Sequence, residues 1–209
     1  MLVLQVMITI LMQTLALIYL RIQSKRQKKT LIGWGLSAGS IALTIIISWY
    51  LYCVTTDWLS FTRYLTLYQL LFCIAVMDYH FRIIPNSVLF VGLILQSVLT
   101  ICGGFFQKTN CMNLFWANIC SCMTSIVLLF LVYVLSKHAI GLGDVKLFGM
   151  IGFYLQIYDT FSVLFLGVVI AAFLAVFMLL AKKCQKESTL PLAPFILAGY
   201  IGTLFTKYF

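Results

Sequence analysis

Acid is the scarcest chemistry in this sequence: five aspartate and glutamate residues among 209, against 14 lysines and arginines. Histidine is nearly as rare, with two, and proline is limited to three. No His-Glu-x-x-His and no Cys-x-x-Cys occurs, and His80 and His138 lack zinc-site spacing, so a zinc-centred hydrolase has no ligand set here. The seven cysteines (53, 73, 102, 111, 120, 122 and 184) fall mostly inside apolar runs and read as small membrane hydrophobes. There is no clear internal repeat and no long polar stretch for a soluble domain. Leu2 to Leu20 is apolar from its start, lacks a basic leading region and precedes basic residues instead of a small-residue cleavage site, so it reads as a retained span.

Apolar residues fill the space. They make up 63% of the chain, charged residues 9%, and mean hydropathy is +1.08, far from soluble domains. A membrane-crossing helix needs about 20 mostly apolar residues. Such runs lie near 2–20, 31–54, 64–78, 87–105, 114–136, 146–158, 160–181 and 190–207, so the expectation is an all-α polytopic membrane protein, a single domain over 1–209. It has eight spans, or seven if the short sixth does not cross. With eight, eleven basic residues fall in the alternate connections 21–29, 79–86, 137–146 and 182–188. Only Arg63, Lys108 and Lys207 fall on the other side. The positive-inside rule places the basic side in the cytoplasm. Topology and contact with anionic headgroups account for the net charge of +9, with no nucleic-acid partner required.

Against that background each acid can be weighed singly. Asp57 and Asp159 fall in outside connections and Glu187 in a basic loop, where solvation explains them. Asp78 and Asp144 each abut an apolar run at the cytoplasmic edge, where a carboxylate is costly and by default marks function. Asp78 ends YQLLFCIAVMD and is followed by YHFRIIPN, in which Pro85 stops a helix and Asn86 is placed to cap the next. Asp144 follows Gly141-Leu-Gly143 at the start of the next run; the glycines are expected to permit unusual dihedrals and close backbone approach. Capping by Asp144 and pairing of Asp78 with Arg82 would each explain one residue. If the two meet, like charges cannot both ionise easily: one carboxylate serves as general base on water and the other as acid. No cofactor or metal is needed for that chemistry.

At these residues the sequence resembles the type IV prepilin leader peptidases, membrane aspartic peptidases with a Gly-x-Gly-Asp motif. GLGDVKLFGMIG (Gly141 to Gly152) is similar to the second-aspartate segment, including Lys146. MDYHFRIIPN (Met77 to Asn86) is similar to the first, with Pro85 and Asn86 at the usual distance. LPLAPFILAGY (Leu190 to Tyr200) is a looser likeness to the Pro-x-x-Pro-Phe segment that opens the last helix, with Pro191 and Pro194 in place but Leu192 and Ala193 where many members have Phe and Gly. The likeness covers about 60–205. It implies removal of a short basic leader from type IV prepilin-like precursors at the cytoplasmic face of a prokaryotic cell membrane, with Asp78 and Asp144 as the dyad and Gly141, Gly143 and Lys146 shaping the loop.

Many bacterial members carry an added cytoplasmic domain between their first spans, with paired Cys-x-x-Cys motifs, and also methylate the new N-terminus. Here only RIQSKRQKK separates the first two runs, so the chain resembles a short form, and methyl transfer is not expected. Two rival readings use the same aspartates. Presenilin-like and signal-peptide-peptidase enzymes share Gly-x-Gly-Asp but have Tyr-Asp as the first-acid signature, where this chain has Met77-Asp78. A small transporter would use the pair as a proton or cation relay.

Overall fold

The computed structural model describes residues 2–26, 34–55, 57–107, 111–136, 141–180 and 191–207. Among these the chain forms eight helices and no strand: α1 (Leu2–Arg26), α2 (Trp34–Val54), α3 (Trp58–Phe81), α4 (Asn86–Gln107), α5 (Cys111–Leu135), α6 (Leu142–Tyr154), α7 (Ile157–Leu180) and α8 (Ala193–Lys207). The order follows the eight apolar runs. Helices α3, α4, α5 and α7 are long and apolar enough to cross a membrane. At 13 residues α6 extends only about 20 Å, short of a hydrocarbon core of about 30 Å. Lys28, Lys29, Lys108, Lys137, His138, Lys182, Lys183, Cys184, Lys186 and Glu187 lie outside the described residues.

Helix α3 is the centre of the bundle. In its apolar window 78% of residues are buried, against 11% for α7, whose Phe165, Phe173 and Phe177 face outward, as suits lipid. One core cluster joins Leu65, Tyr68 and Ile74 of α3 to Phe148 and Ile151 of α6, Val163 of α7 and Ile196 and Tyr200 of α8. Helices α7 and α8 cross with backbones touching: a Cβ at Gly199 would lie 2.6 Å from the Gly167 nitrogen and 2.7 Å from the Val163 carbonyl oxygen. Helix α6 is set against α5 in the same way, since a Cβ at Gly152 would lie 2.7 Å from the Ser121 carbonyl oxygen. These contacts fix α8 against α7 and α6 against α5.

Several boundaries differ from expectation. Helix α1 runs on through Arg21 and Lys25 to Arg26, and α7 begins at Ile157, so Asp159 lies in its first turn and not in a connection, because polar residues at a helix end lower hydropathy without breaking the backbone ladder. Helix α3 begins at Trp58, not near 64, so Arg63 lies inside it, half-buried, and not in an outside connection. Polar Ser60, Thr62 and Arg63 mask this turn in hydropathy, yet Leu59 and Phe61 are buried and the Thr62 hydroxyl donates back to the Trp58 carbonyl at 2.7 Å. Asn86 does not cap α4. It is already helical, and the Pro85 carbonyl accepts the Val88 and Leu89 N–H groups at 3.1 and 3.4 Å.

Candidate active site

Asp78 stands in the last turn of α3 and is 7% exposed. The helix ends four residues later because Arg82 takes the left-handed conformation, φ 55° and ψ 37°, with its N–H donating to the Asp78 carbonyl at 2.8 Å. The Asp78 side chain points away from this turn, to α8. Its Oδ2 accepts the Ala193 N–H at 2.9 Å, and the Leu192 N–H is also directed at the carboxylate. Helix α8 has these donors to offer because of its own start. The Leu192 carbonyl accepts Phe195 and Ile196 N–H groups at 3.0 and 3.1 Å, Pro194 has no N–H, and no acidic residue lies in the first turn. Asp78 therefore supplies from α3 the anionic cap that α8 lacks.

Asp144 is the third residue of α6. Gly141 precedes the helix, and its carbonyl accepts the Asp144 and Val145 N–H groups at 3.0 and 3.4 Å. The Gly141 N–H, one turn back, favours the charged form of the Asp144 carboxylate. Burial first, and the negative charge of Asp78 second, together push the Asp144 carboxyl up to about 6 against the opposing Gly141 N–H. The two acids of the motifs thus come within electrostatic reach of each other. Each acid also has a local influence of its own: the Gly141 backbone acts on Asp144, and the charge of Arg82 acts on Asp78.

The glycines are there for space and not for dihedral freedom. No glycine among the described residues has positive φ, and Gly141 sits at φ −73°, ψ 143°, open to any residue. A Cβ on Gly141, however, would stand 3.3 Å from Asp144 Oδ2, and one on Gly143 would stand 3.3 Å from the Ile84 side chain. Lys146, one turn into α6, reaches Asn86 at the start of α4, with Nζ 3.5 Å from Oδ1. Pro191 and Pro194 bracket the start of α8, both half-buried. His80 packs edge-on to Tyr79, and no cluster of three metal-ligating side chains exists among the described residues.

Ala193 and Leu192 act through backbone N–H groups, which carry no side-chain signature in the sequence. One pattern could mislead: Gly35-Leu-Ser-Ala-Gly39 fits the nucleophile-elbow spacing. It runs within helix α2 with no strand before it among the described residues, so the sharp strand-to-helix turn that exposes such a serine is missing.

Residues 65–176 match the model of the type IV leader peptidase family. Over 133 residues the chain is 29% identical to the prepilin leader peptidase/N-methyltransferase of Bacillus subtilis (strain 168), an overlap of 64% of this chain and 51% of that protein. The chain thus spans about half the length of this curated relative. No solved structure matches it at comparable stringency. Asp78 and Asp144 lie inside the matched region; the α8 donors lie beyond it.

Proposed function

The chain belongs to the type IV leader peptidase family, and from that premise we propose that it is a membrane aspartic endopeptidase removing the short basic leader of type IV prepilin-like precursors. The observation that carries this reading is the convergence of Asp78 and Asp144, two of only five acids in the chain, at one end of the bundle. The reaction needs no cofactor. One carboxylate takes a proton from water as its oxygen attacks the scissile carbonyl carbon, while the other, protonated, gives its proton to the carbonyl oxygen. When the C–N bond breaks, the leaving nitrogen takes a proton from the first carboxyl and a diol proton returns to the second. The whole of 1–209 serves as one membrane domain in this reading. Methyl transfer forms no part of it.

The site faces the cytoplasm of a prokaryotic cell in this proposal. Supporting that, Arg82 and Lys146 lie at the dyad end, and so do Arg21 and Lys25, because Leu20 of α1 packs in one cluster with Cys73 and Met77 of α3. The bilayer holds the bundle and presents the precursor's hydrophobic helix; nucleic acid has no role. Co-expression with a prepilin-like precursor, followed by gel shift and N-terminal sequencing of the product, tests the reading. Wild type should release the leader, and Asp78→Asn and Asp144→Asn, inserted at normal levels, should not. Cleavage by either variant, or an uncut precursor with wild type, would overturn it.

A further inference from the structure

The two carboxylates occupy unlike surroundings, and the difference lies in α8. Asp78 is met by Ala193 and Leu192 N–H groups at the positive end of a 15-residue helix. An N–H group only donates, so it holds its partner as an acceptor and favours the charged form. Asp144 has the single Gly141 N–H and lies in the field of Asp78. From this geometry, and resting on the peptidase reading above, we propose that the start of α8 assigns the chemical roles of the dyad: Asp78 is the carboxylate that takes the proton from water, and Asp144 is the acid that protonates the scissile carbonyl.

Burial costs the Asp78 carboxylate its hydration and is the largest influence on it; the α8 N–H groups and Arg82 act against that cost. Arg82, at the cap of its own helix, places positive charge on it, and Asp144 of α6 is the negative group opposed to it. Helices α2 and α4 have no charged residue in their sequences, α8 has only Lys207 at its far end, and Arg21 and Lys25 of α1 are exposed; on α6 the exposed Lys146 reaches Asn86, and on α3 itself His80 packs edge-on to Tyr79. Ala193 and Leu192 are therefore positioning residues, acting through the backbone. They hold one oxygen of Asp78 in place and bias which carboxyl keeps the shared proton.

The chain has four aspartates, 57, 78, 144 and 159, so the full-length protein labelled with 13C at aspartate carboxyls and held in lipid nanodiscs gives four titrating signals. Asp78→Asn and Asp144→Asn assign the two of interest. The proposal expects Asp78 to lose its proton in the lower of two steps and Asp144 in the upper. Ala193→Pro removes the donor at the first helical position, where proline is tolerated; Ala193→Gly keeps it. The proline variant should move the lower step, and with it the acid limb of kcat/KM for cleavage, upward by about one pH unit, tenfold in the dissociation constant. The glycine variant should leave both unmoved. If Ala193→Pro does not fold, Arg82→Gln should move the same step the same way. Asp78 titrating in the upper step, or a lower step unmoved in the folded variant, refutes the assignment. Because the titration needs no substrate, split steps in the stated order with no precursor cut would refute the peptidase reading, and with it the catalytic roles, while leaving the control of the titration order by α8 standing.

Discussion

Asp144→Asn should cost the protein its activity and make it more stable. The Asp144 carboxyl is pushed from 3.8 up to about 6 in the fold by burial and by the charge of Asp78. A folded value above the unfolded one means that the native state binds the proton more tightly. Stability is then greatest with Asp144 protonated, declines as pH rises from about 4 through about 6, and stays reduced above that. The full shift corresponds to about 3 kcal/mol. Asp144 is only half-buried, so solvent screening brings the expected gain for the neutral asparagine to about 1–2 kcal/mol at pH 8. Near pH 4 the gain should almost vanish, because wild type is then also largely neutral. Asparagine keeps an oxygen for the Gly141 N–H, which limits other losses. Unfolding by SDS in mixed micelles, followed by tryptophan fluorescence at both pH values, measures the difference of differences. A destabilised variant at pH 8, or an equal effect at both pH values, would refute the reasoning.

Three further outcomes follow from the packing. Gly199→Ala gains helix propensity, but its Cβ meets α7 backbone at 2.6 Å and cannot be relieved by a rotamer change, so a net loss of about 1–3 kcal/mol is expected in the same unfolding assay. Gly143→Val presses Ile84 and shifts the start of α6, and kcat/KM for leader removal should fall on the order of tenfold or more, with Gly143→Ala much milder; equal activity of all three would exclude the contact. Tyr154→Phe loses a buried hydroxyl that donates to the Gly92 carbonyl at 2.9 Å, and should cost about 1 kcal/mol without changing the pH profile of cleavage.

What could be read from residues alone, and what could not, divides along physical lines. Apolar runs bounded by Pro85 or by basic clusters announce helices because the bilayer leaves the backbone no other partner. Asp78 and Asp144 stood out because acid is scarce and expensive beside apolar sequence. The start of α3 was hidden because Arg63 and its polar neighbours lower hydropathy while Leu59 and Phe61 pack inward. Asn86 suggested a cap that a proline carbonyl in fact provides, leaving its side chain for Lys146. The need for Gly141 and Gly143 was legible, but its reason was not: their Cβ positions are crowded by Asp144 and Ile84, which only the folded arrangement brings there. The donors to Asp78 were illegible because a backbone N–H is common to nearly every residue, and only the tertiary packing of α8 against α3 aims this one.

The shortness of α6 explains how a carboxylate can be held still at the edge of a membrane. A helix of this length cannot reach both faces, so one end must stop within the protein, where its carbonyls need partners. At that end Ser121 Oγ donates to the Leu155 carbonyl, just past the helix, at 3.1 Å, and the Tyr154 hydroxyl ties the last turn to α4. Every residue from Leu147 to Tyr154 is buried, and Gly149 and Gly152 bring α5 into contact along the helix. Close packing of that kind does not yield gradually, so Asp144 is carried on a fixed strut against an equally buried α3. At the other end the packing opens. Gly141 and Leu142 are exposed, as are Tyr79 and Ile83 beside Asp78, and both acids lie within the terminal turn of their helices. A site rigid beneath and open at the helix ends suits a peptide bond at the membrane edge better than one buried within the bilayer, and this favours leader removal over intramembrane cleavage.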